Sequence, residues 1–97
     1  DKEYYINNKR HREDGPAVEY SNRGREYYIN GKLHKEDGPA VEYTNGDKYY
    51  YIDGKCHRED GPAVIRGNHA EIWHHGKKIS ETDEYNPPIK SARKVKL

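Results

Sequence analysis

One pentapeptide, Asp-Gly-Pro-Ala-Val, occurs three times, at residues 14–18, 37–41 and 60–64 of the 97-residue chain. Each copy follows a His-Arg/Lys-Glu run that begins at His11, His34 or His57. Each of those runs follows Tyr-Tyr-Ile, a short turn and a Lys, from Tyr4, Tyr27 and Tyr50. A fixed 23-residue period with this much identity signals one small unit stacked on its neighbours. It predicts an all-β chain: an elongated antiparallel sheet or solenoid of tandem β-hairpins, three full units and one partial. The units read as about 4–26, 27–49, 50–72 and 73–79, within one domain over residues 1–79, with residues 80–97 as a tail or cap.

The middle copy shows the unit most plainly. Glu26-Tyr27-Tyr28-Ile29 suits a strand, Asn30-Gly31 a two-residue turn, and Lys32-Leu33-His34-Lys35 the returning strand. Asn-Gly is the strongest short hairpin signal, because a type I′ turn needs positive φ at both central residues. Asp53-Gly54 serves equally, Asn7-Asn8 is tolerated, and the partial copy keeps Gly76. Glu36-Asp37-Gly38-Pro39 then stops the arm, since Asp binds backbone N–H groups, Gly permits a sharp bend and Pro removes a donor. Ala40-Val41-Glu42-Tyr43 resumes an extended strand.

Composition narrows the core. Only 31% of residues are apolar and 36% are charged, but the apolar ones suit strands: ten Tyr, recurrent Ile and Val, no Phe and no Met. A Tyr-rich core is thin and must lead its hydroxyls to water or to partners. The turn places Tyr28 opposite Leu33 and Ile29 opposite Lys32. Because Leu33 is replaced by Arg10, Cys56 and Lys78 in the other copies, that position reads as solvent-facing. The expected interior is therefore Ile6, Ile29, Ile52, Val18, Val41 and Val64. The expected exposed face is the row Tyr5, Tyr28, Tyr51 and Trp73, and a one-residue register change inverts the assignment.

Charge and cysteine exclude several classes. The 18 basic and 17 acidic side chains nearly cancel, and within residues 1–79 there are 14 of each, which excludes a nucleic-acid mimic and a strongly basic nucleic-acid binder. The basic excess lies at Lys90, Arg93, Lys94 and Lys96. The single Cys56 leaves no intrachain disulfide and suits a reducing compartment. No stretch is apolar enough to span a membrane and no signal peptide is read; the start at Asp1, partway through a unit, suggests that upstream residues have been removed.

The aromatic, Asn/Asp-Gly-Lys-x-His pattern, at Tyr28, Asn30-Gly31-Lys32 and His34 and again at Tyr51, Asp53-Gly54-Lys55 and His57, is similar to the MORN repeat. Where MORN units have Gly after the His, this chain has Lys35-Glu36-Asp37-Gly38-Pro39, and the Tyr-Glu-Gly opening is missing. Over residues 4–79 it more closely resembles a MORN-like variant with a His-Arg-x-Asp-Gly-Pro-Ala core, found in tandem-repeat proteins of bacteriophages and large DNA viruses. That resemblance implies a scaffold or interaction module, such as a small viral protein that binds and blocks a host defence component in the host cytoplasm. The MORN likeness also implies, more weakly, binding to membrane surfaces and lipid headgroups.

No catalytic residue, cofactor or metal is anticipated. Equivalent His residues should lie about 10 Å apart, too far to share an ion, and each is expected to pack on Tyr and bond a carboxylate or carbonyl in its own corner. The Arg/Lys-Glu-Asp runs recur in every unit, whereas a catalytic site is made once, and Cys56 has no organised base beside it. The expected partner-binding surface is Tyr5, Tyr28, Tyr51 and Trp73 with the variable Arg10, Leu33 and Cys56, toward a host or self protein. The alternative is nucleic acid held by the aromatic row and Lys90, Arg93, Lys94 and Lys96. Open edge strands also allow a homodimer.

Overall fold

The computed structural model describes residues 1–86. There the chain is all β, a set of short antiparallel strands joined by turns. Eight strands form one sheet: β1 (Lys2–Glu3), β4 (Val18–Tyr20), β5 (Gly24–Glu26), β8 (Val41–Tyr43), β9 (Lys48–Tyr49), β12 (Val64–Arg66), β13 (His69–His74) and β14 (Lys77–Thr82), in that spatial order. Three two-stranded hairpins branch from it as arms: β2 (Tyr5–Ile6) with β3 (Lys9–Arg10), β6 (Tyr28–Ile29) with β7 (Lys32–Leu33), and β10 (Tyr51–Ile52) with β11 (Lys55–Cys56).

Turn chemistry sets the arms. Asn30 and Gly31 have φ of 52° and 79°, Asp53 and Gly54 50° and 78°, and Asn7 and Asn8 53° and 65°, the double positive φ of a type I′ turn. The register follows as expected, with Tyr28 opposite Leu33 and Ile29 opposite Lys32. Successive arms also touch through backbone bonds: Arg12 N–H donates to Tyr28 O (3.2 Å) and Gly31 N–H to Arg10 O (2.8 Å). The same pair of bonds recurs between arms two and three, and between arm three and the last hairpin.

The repeated pentapeptide carries the core. Ala17, Ala40, Ala63, Val18, Val41 and Val64 are all buried, joined by Cys56, Ala70 and His11. The carbonyls of Ala17, Ala40 and Ala63 accept the N–H groups of Tyr4, Tyr27 and Tyr50 at 2.7–2.8 Å, which ties each corner to the start of its own arm. At Gly24 (φ 137°) any Cβ would lie 2.1 Å from the Glu42 carbonyl oxygen, so β5 and β8 could not approach as they do with a side chain there.

Two expectations are corrected. Ile6 is 53% exposed and Ile29 and Ile52 are half-buried, so these residues do not line the interior. Tyr51 and Trp73 instead pack on Cys56, Ala63 and Val64, so the aromatic row turns toward the core. The parity of the arm is inverted relative to the sequence reading: Leu33, Arg10 and Cys56 vary because they are covered to different depths, half-buried at Arg10 and Leu33 and buried at Cys56. The last hairpin also runs further than expected. β14 reaches Thr82, and β13 continues from sheet into arm through a bulge at Ile72/Trp73, since no corner follows to divide them.

Candidate binding surface

Each corner is built by its His and the basic residue after it. His11 Nδ1 accepts the Asn30 N–H at 2.9 Å, His34 Nδ1 the Asp53 N–H at 2.9 Å, and His57 Nδ1 the His75 N–H at 2.8 Å. A ring nitrogen that accepts carries no proton, so the other nitrogen bears it and donates to a carboxylate of the same corner. Those partners are Glu13 (3.2 Å), Glu36 (3.4 Å) and Glu59 (2.8 Å). The carboxylate bond agrees with the sequence expectation. The bond to the next unit's turn has no signal in the sequence, because it joins residues 18 or 19 apart in a register that only the stacked arms reveal.

The following Arg or Lys lies over the first Tyr of its unit. Arg12 sits 4.1 Å from the Tyr4 ring centre, Lys35 Nζ 3.9 Å from Tyr27 and Arg58 4.1 Å from Tyr50. Arg12 and Arg58 also donate to the Pro16 and Pro62 carbonyls and to Asp14 and Asp60. The cations are thereby held against the body, while the carboxylates of the same corners stay 79–89% exposed.

The aromatic row lies on the other side of the arms. Tyr5 donates to Glu3 (2.6 Å), Tyr28 to Glu26 (3.0 Å) and the Trp73 indole to Glu71 (2.7 Å), all carboxylates of the main sheet. Burial, with the bond to Glu26 second, raises the Tyr28 phenol above its ordinary value. Of the seven residues expected to form a contact face, only Tyr5 is exposed; Tyr28, Tyr51, Trp73, Arg10 and Leu33 are half-buried and Cys56 is buried. Tyr51, Trp73 and Cys56 meet between arm and sheet, and Arg10 reaches the Tyr28 hydroxyl of the next arm at 3.4 Å. Burial, with Glu71 adding to it, pushes the Cys56 thiol up to about 11, so it stays a protonated core residue.

What the fold presents outward is a groove on the opposite face of the sheet. Its floor is Glu42, Lys48 and Ile65, which alternate with the buried Val41 and Val64 and the half-buried Tyr49. Tyr50 and Ile52 line one side, and corners two and three, with Glu36, Asp37, Glu59 and Asp60, form its rims, enclosing about 1030 Å³. A smaller groove of about 590 Å³ lies between corners one and two, lined by Tyr27, Ile29 and the carboxylates Glu13, Asp14, Glu36 and Asp37, with no main-sheet residue as a floor. The sequence reading missed this side because it followed the aromatic row and treated the corner solely as a turn.

Two His/carboxylate groups have ligand atoms within 4.8 Å of one another: His57, Glu59 and His75, and His69, Glu71 and Glu81. The first is already committed, since an ion on His57 Nε2 would send its proton to Nδ1 and break the bond to His75. In the second, His69 is held by Glu71 (2.8 Å) and Asp83 (2.6 Å), which raise its pKa, and Glu71 is lowered by His69 first and Trp73 second. Lys78 occupies Glu81 at 2.9 Å.

The outer strand β14 carries Lys77, Lys78 and lies across the bulge at Ile72/Trp73, features that discourage edge pairing, so the edge-strand homodimer gains no support here. No helix among the described residues is long and apolar enough to cross a membrane. Lys90, Arg93, Lys94 and Lys96 lie outside the described residues. No family model, curated protein or solved structure matches this chain.

Proposed function

We propose that the chain is a non-enzymatic binding module that engages a protein partner along the grooved face of its sheet. One observation carries this reading. Three equivalent corners commit their His to the turn of the next unit and their Arg/Lys to the first Tyr of their own, and turn carboxylates outward beside half-buried Tyr and Ile. A polar rim around a partly apolar floor is the anatomy of a protein-binding patch. Use as a viral blocker of a host defence protein is the narrower form of this proposal and rests on the resemblance of the repeats. The whole chain carries 18 basic and 17 acidic side chains, a balance too even to hold nucleic acid by charge alone, which favours a protein as the partner.

The test is quantitative recovery of partners from a host lysate by the wild-type chain, Glu36→Lys/Glu59→Lys and Tyr28→Phe. The charge reversals alter the groove rim, whereas Tyr28→Phe removes only an internal bond. Loss of the partner with the first and retention with the second supports the reading; equal recovery by all three refutes it.

A further inference from the structure

We infer that the grooved face takes an extended cationic segment of its partner, with basic side chains three residues apart. The inference rests on the protein-binding reading above and names the chemistry of the partner. Each unit adds two strands to the main sheet, so consecutive corners are separated by about 10 Å. An extended polyproline II segment has three residues per turn and advances about 9 Å per turn, so every third side chain returns to the same side at nearly the corner spacing. A β-strand offers same-face side chains at about 7 Å or 13 Å and falls out of step with the corners.

Charge selects the segment. The larger groove has Glu36 and Asp37 on one rim and Glu59 and Asp60 on the other, all exposed. Lys35 on its wall lies on the Tyr27 ring, and Arg58 lies on the Tyr50 ring and pairs with Asp60 at 3.2 Å, so among the described residues Glu36, Asp37 and Glu59 are the rim carboxylates with no Arg or Lys partner. Lys48 stands opposite Glu42 in the register. One basic side chain per corner would meet the rim carboxylates, and the two intervening residues would lie against Ile52 on the wall and Ile65 on the floor. The smaller groove extends the row of rim carboxylates to Glu13 and Asp14, so a segment with three basic residues spans all three corners.

The experiment uses the full chain and three fluorescent peptides of equal charge, with Arg at every second, third or fourth position and Pro or Ala between. Their binding is read by anisotropy near physiological salt. The three-residue spacing is expected to bind about tenfold tighter than the other two, and Glu13→Gln/Glu36→Gln/Glu59→Gln is expected to weaken it about tenfold. Gln still accepts the His Nε2–H bond, so this variant is expected to keep its unfolding midpoint, checked in the same preparation. Equal affinity for all three spacings, no binding of the three-spaced peptide, or unchanged binding by the Gln variant overturns the inference. The wider reading falls separately, if Glu36→Lys/Glu59→Lys recovers every lysate partner that wild type does.

Discussion

The first and third arms follow one template and bury very different amounts. In the first, Tyr5 and Ile6 are each 53% exposed, and Arg10 at the inner position pairs with Glu3 at 3.8 Å. In the third, the inner position is Cys56, 7% exposed, packed with Ala63, Val64, Tyr51 and Trp73. The difference follows from neighbours. Among the described residues the third arm has backbone bonds to the second arm and to the last hairpin, whereas the first has them to the second arm. A covered position takes apolar side chains, while one open to water takes an Arg and a carboxylate. Apparent variability along the repeats is therefore a record of depth.

Exchanging the inner residues breaks the comparison most sharply. Cys56→Arg would place an unpaired charge in the third arm and is expected to cost about 3 kcal/mol or more, whereas Arg10→Cys should change stability by less than about 1 kcal/mol. Urea unfolding of both variants measures the contrast, and equal losses would show that depth does not differ between the arms. A smaller effect is expected where a phenol is bonded. Tyr28→Phe leaves Glu26 without that donor and should cost about 1 kcal/mol, while Tyr5→Phe, at an exposed site, should lie within about 0.5 kcal/mol of wild type.

The smallest effect concerns the carboxylate that stands at the position of Glu3 and Glu26 in the last hairpin, Glu71. Its pair with His69 works only while both are charged. His69 is raised from 6.5, so its contribution is fully present below that value and is lost as pH rises through the higher folded value. Glu71 is lowered from 4.5, so its contribution is present above that value and is lost as pH falls through the lower folded one. Thermal midpoints of wild type and His69→Asn should therefore differ most between about pH 4.5 and 6.5 and converge at alkaline pH. A difference that stays constant from pH 5 to 9 would assign His69 a packing role instead.

Much of the fold was legible in residues that leave the backbone no choice. Asn30-Gly31 and Asp53-Gly54 specified the turns, and the turns specified the register. Val18, Val41 and Val64 were correctly placed in the core. Facing was misread because Cys56 and Arg10 share a position, and their difference suggested a surface when it reflected the covering layer. The grooved face was hidden for a related reason. Its floor is assembled from Glu42, Lys48 and Ile65 on three strands, and no single stretch of sequence shows them together. The clustering of His69 with Asp83 likewise crosses 14 residues, into a segment that shares nothing with the repeats.

The bond from each corner histidine to the next turn has a direction. His11 holds Asn30, His34 holds Asp53 and His57 holds His75, always from an earlier unit to a later one. In the last hairpin the equivalent position is Ile79, which has no ring nitrogen to offer. The stack is thus polar, like a row of hooks each closed by the next eye, and its last member has an eye and no hook. A 23-residue unit spliced in between two existing ones would find a hook before it and an eye after it. The same unit joined after Ile79 would find no ring nitrogen to hold its turn and would depend on the backbone bonds between arms alone.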